Sequence, residues 1–193
     1  MMAAAATALG VDEPLRDKLV HLAEIPIPVA ADCTLIDLRS GEGVERACLV
    51  VGDVSRAAIT REFHQRRPPG PRNPVVGVLR SGETSLVRRV SEDLLRRMVE
   101  DDEAQLETLK RFGPRSYVSV PMRGGGDTFG VFTFAYTVDG RSYTAADVPF
   151  FEAFVSAIAL PVFALQMMEQ ASRRRTSSIE KKRPEKKTGP RTR

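Results

Sequence analysis

The sequence has few of the residues on which most catalytic and metal sites depend. It contains two histidines and two cysteines in 193 residues, with no HExxH motif, no CxxC pair, no Walker A sequence and no GxGxxG turn between a strand and a helix. Such motifs supply zinc ligands, redox dithiols and phosphate-binding loops, so the sequence offers no motif-based support for those chemistries. Two cysteines are also too few for a secreted disulfide framework, which favours a reducing, cytoplasmic location.

The N-terminal residues do not have the pattern of a secretory signal peptide. Residues 1–10 are rich in alanine, lack a basic start and are too short for an apolar signal core. We therefore expect residues 1–11 to form a disordered segment. The remaining length suits one domain, and a hydrophobic content of 42% is sufficient for a core.

Positive charge is concentrated at the C-terminal end. The formal net charge is +4, but residues 173–193 hold ten Lys/Arg and two Glu (net +8), which leaves 19 basic and 23 acidic residues (net −4) in the rest. This tail has a single aliphatic residue, Ile179, so we predict that it is disordered. It has no aromatic residue to stack on bases. Two roles of the tail are alternatives: a solubilising extension, or contact with nucleic acid or an anionic surface through charge alone.

Residues 116–155 carry the clearest structural pattern. Residues 116–122 alternate apolar and small polar side chains, as a half-buried strand does, and three glycines at 124–126 favour a tight turn. Residues 128–137 are almost purely β-branched or aromatic and predict a central, doubly covered strand. Thr144 and Asp147 resemble a capping box at the start of a long apolar helix.

The rest of the chain predicts alternating helices and antiparallel strands. The first predicted elements are a helix between Pro14 and Pro26 and two strands at 33–38 and 44–51. A helix from Asp53 or Ser55 to about residue 67 and a short edge strand within 74–82 follow. Helices at 91–98 and up to Phe112 then lead to the elements of residues 116–155. This order indicates an α+β domain with one central sheet.

Several segments together resemble a known signalling family. They are Val-Pro-Met at 120–122, Phe-Gly-Val-Phe-Thr-Phe at 129–134, Tyr-Thr-Ala-Ala-Asp at 143–147, and the segments 26–33, 67–69, 78–83 and 109–116. In this order and spacing, residues 12–172 resemble bacterial GAF domains. The resemblance implies a five- or six-stranded antiparallel sheet with the first and last helices on one face and a pocket covered by loops and short helices on the other. It also implies a non-enzymatic sensory or regulatory module.

The ligands and chemistry known for some relatives are not implied here. Covalent bilin attachment would need a cysteine beyond the strands, and the Asn, Lys, Phe, Asp, Glu pattern of cyclic-nucleotide binders is absent. We therefore expect no cofactor. Some GAF-fold enzymes reduce methionine sulfoxide with cysteines on mobile loops, but Cys33 and Cys48 lie in predicted strands, where free cysteine behaves as a small buried hydrophobe. A thiol-based redox enzyme would require these two cysteines to be exposed and close together.

A polar cluster is predicted at the pocket rim and on the sheet beside it. Its candidate ligand-binding residues are Arg80, Ser81, Glu83 and Thr84, together with Asp32, Tyr117 and Ser119 on the sheet side. The guanidinium of Arg80 could hold a carboxylate or phosphate, or it could instead anchor the loop that follows it. An alternative is an interaction scaffold whose pocket is filled by its own aromatic side chains, namely Phe112, Phe129, Phe132 and Phe134.

The last helix carries the expectations about partners. Residues 148–168 contain one charge, Glu152, and are just long enough to cross a bilayer, but we expect no membrane span because Glu152 and Gln166 disfavour insertion. Large apolar residues lie on one face and alanines on another, which suits a helix that packs on a core and also on a second helix. We expect a homodimer through the first and last helices, with output in trans through a sensor kinase or another signalling protein.

Overall fold

The computed structural model describes residues 1–41, 43–64 and 69–181. Within these residues a five-stranded antiparallel sheet, with strand order β2-β1-β5-β4-β3, forms the middle layer. The strands are β1 (Cys33–Ser40), β2 (Gly43–Val51), β3 (Ser85–Val87), β4 (Ser116–Gly124) and β5 (Asp127–Tyr136). The helices are α1 (Met2–Gly10), α2 (Leu15–Glu24), α3 (Ala57–His64), α4 (Pro74–Ser81), α5 (Glu92–Met98), α6 (Glu103–Phe112) and α7 (Val148–Lys181), and a 3-10 turn, Val54–Arg56, precedes α3.

The N-terminal helices and α7 cover one face of the sheet. Ile36 of β1 lies opposite Phe132 of β5, and Phe132 lies opposite Val120 of β4, so these apolar side chains form a row across the sheet. The ring of Phe132 lies 5.9 Å from that of Phe154 in α7. Each large apolar side chain buried in this layer contributes about 1.5–3 kcal/mol. The predicted packing of the terminal helices on one face is therefore confirmed.

Short helices cover the opposite face. Leu35, Tyr117 and Ala135 project from the sheet into a second apolar cluster with Leu109 and Phe112 of α6. A third cluster joins α4 to the sheet and consists of Val44, Val75, Val78, Leu79 and Val131. The result is an α+β arrangement in which one sheet separates α1, α2 and α7 from a layer formed by the helices between β2 and β4.

The turns around the sheet follow the sequence signals closely. Gly125 and Gly126 adopt positive φ angles of 63° and 90° between β4 and β5, as the run of glycines predicts. A Cβ on Gly124 would come within 2.5 Å of the Phe163 ring, so the hairpin also needs glycine for its contact with α7. The backbone N–H and hydroxyl of Thr144 both donate to Asp147, at 2.7 and 2.8 Å, just before α7 begins.

The expectation of a disordered segment at residues 1–11 is wrong, because Met2–Gly10 forms helix α1. Alanine has the highest helix propensity, and Ala5 and Ala8 are buried against the neighbouring helices. The ammonium group of Lys18 donates to the carbonyls of Leu9 and Val11, which satisfies acceptors at the end of the helix. Tertiary packing thus orders this segment, and the amino-acid composition alone does not show that packing.

The expected edge strand within residues 74–82 is also wrong, because Pro74–Ser81 forms helix α4. The side chain of Asn73 accepts from the N–H of Val75 at 3.1 Å, Pro74 occupies the first turn, and Gly82 ends the helix with a φ of 68°. The edge strand is β3, and it begins three residues after Gly82.

Helix α7 is longer than the sequence pattern predicted. It continues to Lys181, so residues 173–181 of the expected disordered tail are helical, while residues 182–193 lie outside the described residues, as do residues 65–68. No proline or glycine interrupts the chain between 162 and 183. By length and composition alone, residues 148–172 could cross a membrane. The same test is passed by core helices of soluble proteins, and six residues of α7 are buried in the helix-covered core: Phe151, Phe154, Val155, Ile158, Ala159 and Val162.

Candidate functional site

A cavity of about 400 Å³ lies on the face of the sheet opposite α7. Its floor comes from β1, β2, β4 and β5, and its cover comes from α4, α5, α6 and the segment before α4. This volume exceeds the lower limit of roughly 300 Å³ for pockets that bind drug-sized molecules. Half of the twenty described residues that line it are apolar: Leu35, Pro69, Pro74, Val75, Met98, Val99, Leu109, Phe112, Pro114 and Ala135.

A pair of hydroxyl groups lies at the centre of the cavity floor. Ser119 of β4 pairs directly with Thr133 of β5, and their side-chain oxygens are 2.8 Å apart. Thr133 in turn lies opposite Leu35 of β1, so this row of the floor has two polar side chains and one apolar side chain. Since the two hydroxyls bond to each other, they offer a polar spot without a charge.

The row on one side of this pair carries Tyr117. Its side chain is buried, with the residue 4% exposed, and its hydroxyl has no hydrogen-bond partner among the residues that the structure describes. Burial raises the pKa of the Tyr117 phenol, and the charge of Arg97 offsets this in part. The group therefore stays neutral at physiological pH and keeps its proton to donate.

The row on the other side carries an ion pair. Arg46 of β2 lies opposite Asp37 of β1, and its Nε donates to Asp37 Oδ1 at 3.0 Å. Asp37 is fully buried and the Arg46 side chain is 13% exposed. The two charges compensate each other, so this end of the floor is polar without net charge.

Two connections meet at the rim of the cavity. Arg72, just before α4, donates from Nη2 to Asp101 at 2.9 Å and from its backbone to Glu100 at 3.3 Å, and Asn73 donates to the carbonyl of Met98 at 3.0 Å. Glu100 and Asp101 have φ angles of 55° and 64°, a strained conformation for residues other than glycine. The cover is thus joined across the rim by a few polar contacts at a strained turn.

The structure brings two of the seven predicted site residues together in this cavity, Tyr117 and Ser119. Ser81, Glu83 and Thr84 lie instead around a separate shallow groove beside Arg97, and Thr84 donates to Glu152 of α7 at 2.6 Å. Whether any of the seven binds a ligand stays a prediction.

The other two predicted residues have different surroundings. Arg80 is exposed at the end of α4 and makes no hydrogen bond or ion pair within the described part of the chain. The adjoining loop is instead anchored by Arg39, which donates to Leu79 and Thr128, and by Arg123, which donates to Gly82. Asp32 accepts from the N–H groups of residues 137 and 138 and from Arg141, and so holds the connection after β5.

Three polar residues of the cavity floor were not predicted from the sequence: Asp37, Arg46 and Thr133. The available signal for Asp37 was a single charged residue within the predicted strand at 33–38. Its partner Arg46 follows from the pairing register, because counting from the Ser40–Gly43 pair at the turn gives Asp37 opposite Arg46 and the irregularity begins only beyond Asp37.

The two cysteines do not have the arrangement that a thiol enzyme requires. Both are buried, on opposite faces of the sheet. Cys33 lies in the cluster that includes residues of α6, and Cys48 lies in the cluster that includes residues of α2 and α7. Burial raises the pKa of the Cys48 thiol to about 12 and raises that of Cys33 further. In the described part of the chain, no group of three or more His, Cys, Asp or Glu side chains is placed to share a metal ion.

The fold is similar to several solved structures at low sequence identity. The GAF domain of a phosphoenolpyruvate-protein phosphotransferase from Acinetobacter is 10% identical, with a TM-score of 0.61, and the match covers 88% of this chain and 94% of that one. A GAF domain/HD domain protein from Geobacter sulfurreducens is 16% identical, with a TM-score of 0.60 and coverages of 84% and 98%. GAF3 from Synechocystis, in its photoproduct state, is 16% identical, with a TM-score of 0.59 and coverages of 81% and 98%.

The sequence comparison with families leads to the same assignment. No curated protein matches this sequence. The family model described as GAF domain matches residues 27–162, well over half of the chain, and the matched range contains the sheet and the cavity. The chain therefore belongs to the GAF domain family, whose members are generally sensory or regulatory modules that bind small molecules.

Proposed function

We propose that this protein is a non-enzymatic sensory module that binds a small molecule in the cavity and relays its occupancy through α7 to a signalling protein in trans. The observation that carries the proposal is a cavity of about 400 Å³ with apolar walls and a few converging polar groups. Its volume favours ligand binding over a scaffold with a self-filled pocket. Of the four aromatic residues considered for such filling, Phe112 lines the cavity, whereas Phe129, Phe132 and Phe134 belong to the core on the α7 side.

The sheet supplies a direct connection between cavity and helix. Along β4, Tyr117 and Ser119 line the cavity, whereas Val118 and Val120 belong to the core shared with α7. On β5, Phe134 lies 4.4 Å from the ring of Phe151 in α7. A ligand that shifts or stiffens the floor therefore acts on strands that also support α7, and it favours one of two positions of this helix.

The exposed surface of α7 supports a homodimer. Apolar residues recur there at alternating spacings of three and four: Phe150, Ala153, Ala157, Leu160, Ala164, Met167 and Ala171. All seven are exposed in the single chain, with Leu160 66% exposed. A strict heptad repeat over about 30 Å of helix is the pattern of a two-helix seam. The occupant we propose is α7 of a second copy, with α1 and α2 beside it.

The remaining parts of the proposal concern location and output. Two buried cysteines without a disulfide are compatible with a reducing cytoplasm. We propose a sensor kinase or another signalling protein as the partner, which would detect the geometry of the α7 pair. Helix α7 continues to Lys181. We propose that the basic residues from 173 onwards add weak, salt-sensitive contact with anionic surfaces or nucleic acid.

Native mass spectrometry of the purified full chain tests this function. We expect a dimer that carries a co-purifying small molecule, which metabolite profiling then identifies. Ala135→Leu, which places extra carbons in the cavity floor, is expected to remove the bound mass, while Ala58→Leu on the exposed side of α3 retains it. A ligand-free monomer at all concentrations would overturn the proposal.

A further inference from the structure

The seam of α7, formed by its seven exposed apolar residues between 150 and 171, consists of two interleaved sets that each repeat every seven residues. One set is Phe150, Ala157, Ala164 and Ala171, and the other is Ala153, Leu160 and Met167. Val155 and Val162, on the opposite side of the helix, are fully buried in the core shared with the sheet, so the seam points away from that core. From residue 157 onwards, alanine alternates with a large side chain along the seam.

A parallel pair of α7 helices would fill this seam unevenly. In a parallel two-helix pair, each seam residue lies beside the same residue of the other copy. Leu160 would then face Leu160 and Met167 would face Met167, while the alanines between them would face alanines. The large pairs would hold the helices apart and leave gaps at the small pairs, and each gap loses the packing contacts that stabilise an interface.

An antiparallel pair removes this mismatch, because reversing one helix places the first set beside the second. With Ala153 beside Ala171 of the second copy, Leu160 lies beside Ala164 and Met167 beside Ala157. Each of these contacts occurs twice, since the pair has a two-fold axis. The four central layers then hold one alanine and one large side chain each, so the two helices can approach evenly along the seam.

The charges along α7 favour the same direction. Residues 173–175 are three arginines in the sequence and belong to α7, just beyond the seam. A parallel pair would bring the two runs of arginine to the same end, where like charges repel each other. An antiparallel pair separates the two runs by the length of the seam and places each run beside the turn of α7 that carries the exposed Glu152 of the other copy.

We propose that a second copy of this chain docks on the seam in the antiparallel orientation, with Ala153 of one copy beside Ala171 of the other. This inference rests on the proposed function, because it assigns the geometry of the same α7 pair. Its consequence is that the two α7 helices leave the pair at opposite ends, so the signalling partner contacts each of them separately. The sequence agrees, since the positions that would prolong the seam in a common coiled coil hold Arg174 and Ser178.

Thiol cross-linking of the full chain measures the orientation. Ala153→Cys and Ala171→Cys each add one thiol at an exposed position, and wild type, whose Cys33 and Cys48 are buried, is the control for background reaction. In the antiparallel pair, each introduced thiol lies about 27 Å along the helix axis from its own equivalent. Bismaleimidoethane, a short cross-linker, is therefore expected to leave each single variant unlinked and to link the two variants when they are mixed, one of them with a size tag.

An exchange of side-chain sizes tests the same layers without a thiol. Ala164→Leu creates two Leu–Leu layers in the antiparallel pair, and this overpacking should weaken the dimer about tenfold or more in sedimentation equilibrium. Leu160→Ala should weaken it by a similar factor, because it leaves two layers underfilled. The double variant Leu160→Ala/Ala164→Leu again has one alanine and one leucine in each layer and should recover most of the affinity. In a parallel pair, Ala164→Leu would instead fill a gap and strengthen the dimer.

The outcomes separate the orientation from the sensory function. Cross-linking of either single variant to itself, or a tighter dimer of Ala164→Leu, would overturn the antiparallel orientation. A dimer in which neither the single variants nor their mixture is linked would overturn the seam as its interface. None of these results decides whether the cavity binds a small molecule, which the co-purifying mass tests, whereas a ligand-free monomer at all concentrations would overturn both proposals.

Discussion

Replacing Tyr117 by phenylalanine should make the ligand-free protein more stable, although the residue is buried in the centre of the fold. The substitution retains the ring and its apolar contacts and removes a hydroxyl that has no partner among the described residues. Tyr143 offers a matched control, because it is also buried but its hydroxyl donates to the carbonyl of Ala30 at 2.8 Å. The two substitutions remove the same atom from opposite situations.

The expected effects differ in sign. An unpaired buried hydroxyl costs about 1–3 kcal/mol, so Tyr117→Phe should raise the free energy of unfolding by about 1 kcal/mol or more. Tyr143→Phe loses a hydrogen bond and removes the donor from the Ala30 carbonyl, which should lower it by about 1–2 kcal/mol. For a domain of this size, each kcal/mol corresponds to about 2–4 °C in Tm.

Urea denaturation at pH 7 measures both variants under the same conditions. Equal m-values for wild type and variants would show that the difference arises from stability and not from the compactness of either state. If Tyr117→Phe were destabilising by as much as Tyr143→Phe, the Tyr117 hydroxyl would have a partner in the free protein. The premise that this hydroxyl is unpaired in the ligand-free protein would then be refuted.

Three further predictions concern other parts of the chain. Arg46→Met should destabilise by about 3 kcal/mol because it removes the Arg46 guanidinium from the buried Asp37 carboxylate; a double-mutant cycle with Asp37→Asn should recover a large part of this, and a cost below about 1 kcal/mol would contradict it. Stability should fall as the pH rises above 9: the Cys48 thiol ionises near its ordinary pKa of 9.0 in the unfolded chain, whereas burial raises its folded pKa to about 12. Cys48→Ala should remove this component in denaturation curves between pH 8 and 11, and an identical decline in the variant would contradict the assignment. Leu160→Glu should convert the proposed dimer to monomer by analytical ultracentrifugation without unfolding it, since the side chain is 66% exposed, whereas Ser156→Glu, with the same charge change beside the proposed seam, should remain dimeric.

Strands and their turns were predictable because their signals are local. The alternation in residues 116–122 and the glycines at 124–126 act within a few residues, and the β4–β5 hairpin has the expected form. The family resemblance, together with this order of elements, predicted the single antiparallel sheet between two helical layers.

Helix α4 was missed because two local signals disagree. Val75, Val76 and Val78 favour a strand by propensity, whereas Asn73 and Gly82 carry the cap residues of a helix. Packing decides the outcome, since Val75 and Val78 then share one buried face over the sheet. Weak propensities are routinely overridden by such packing.

The cavity could be predicted in position but only partly in composition. The polar run at residues 80–84 was a reasonable candidate rim by its place in the family pattern, yet the rim of the cavity is formed by the segment before α4 and the turn between α5 and α6. The floor depends on which residues of four strands lie side by side, and this register is a tertiary property. Tyr117 and Ser119 were found because both belong to one strand with a readable alternation.

The alternation of side chains along β4 connects the cavity to the core beneath α7. Because successive side chains on β4 point to opposite faces, the residues that line the cavity cannot move along the strand without moving Val118 and Val120 against the core beneath α7. In the proposed relay, a ligand that contacts the floor favours the strand position in which its contacts are best formed. The free energy that it could transmit to α7 is at most the difference in ligand affinity between two helix positions, about 1–2 kcal/mol for one hydrogen bond. Such a bias changes the ratio of two helix arrangements about 5- to 30-fold, which is sufficient for a regulatory module and does not require the protein to do chemistry.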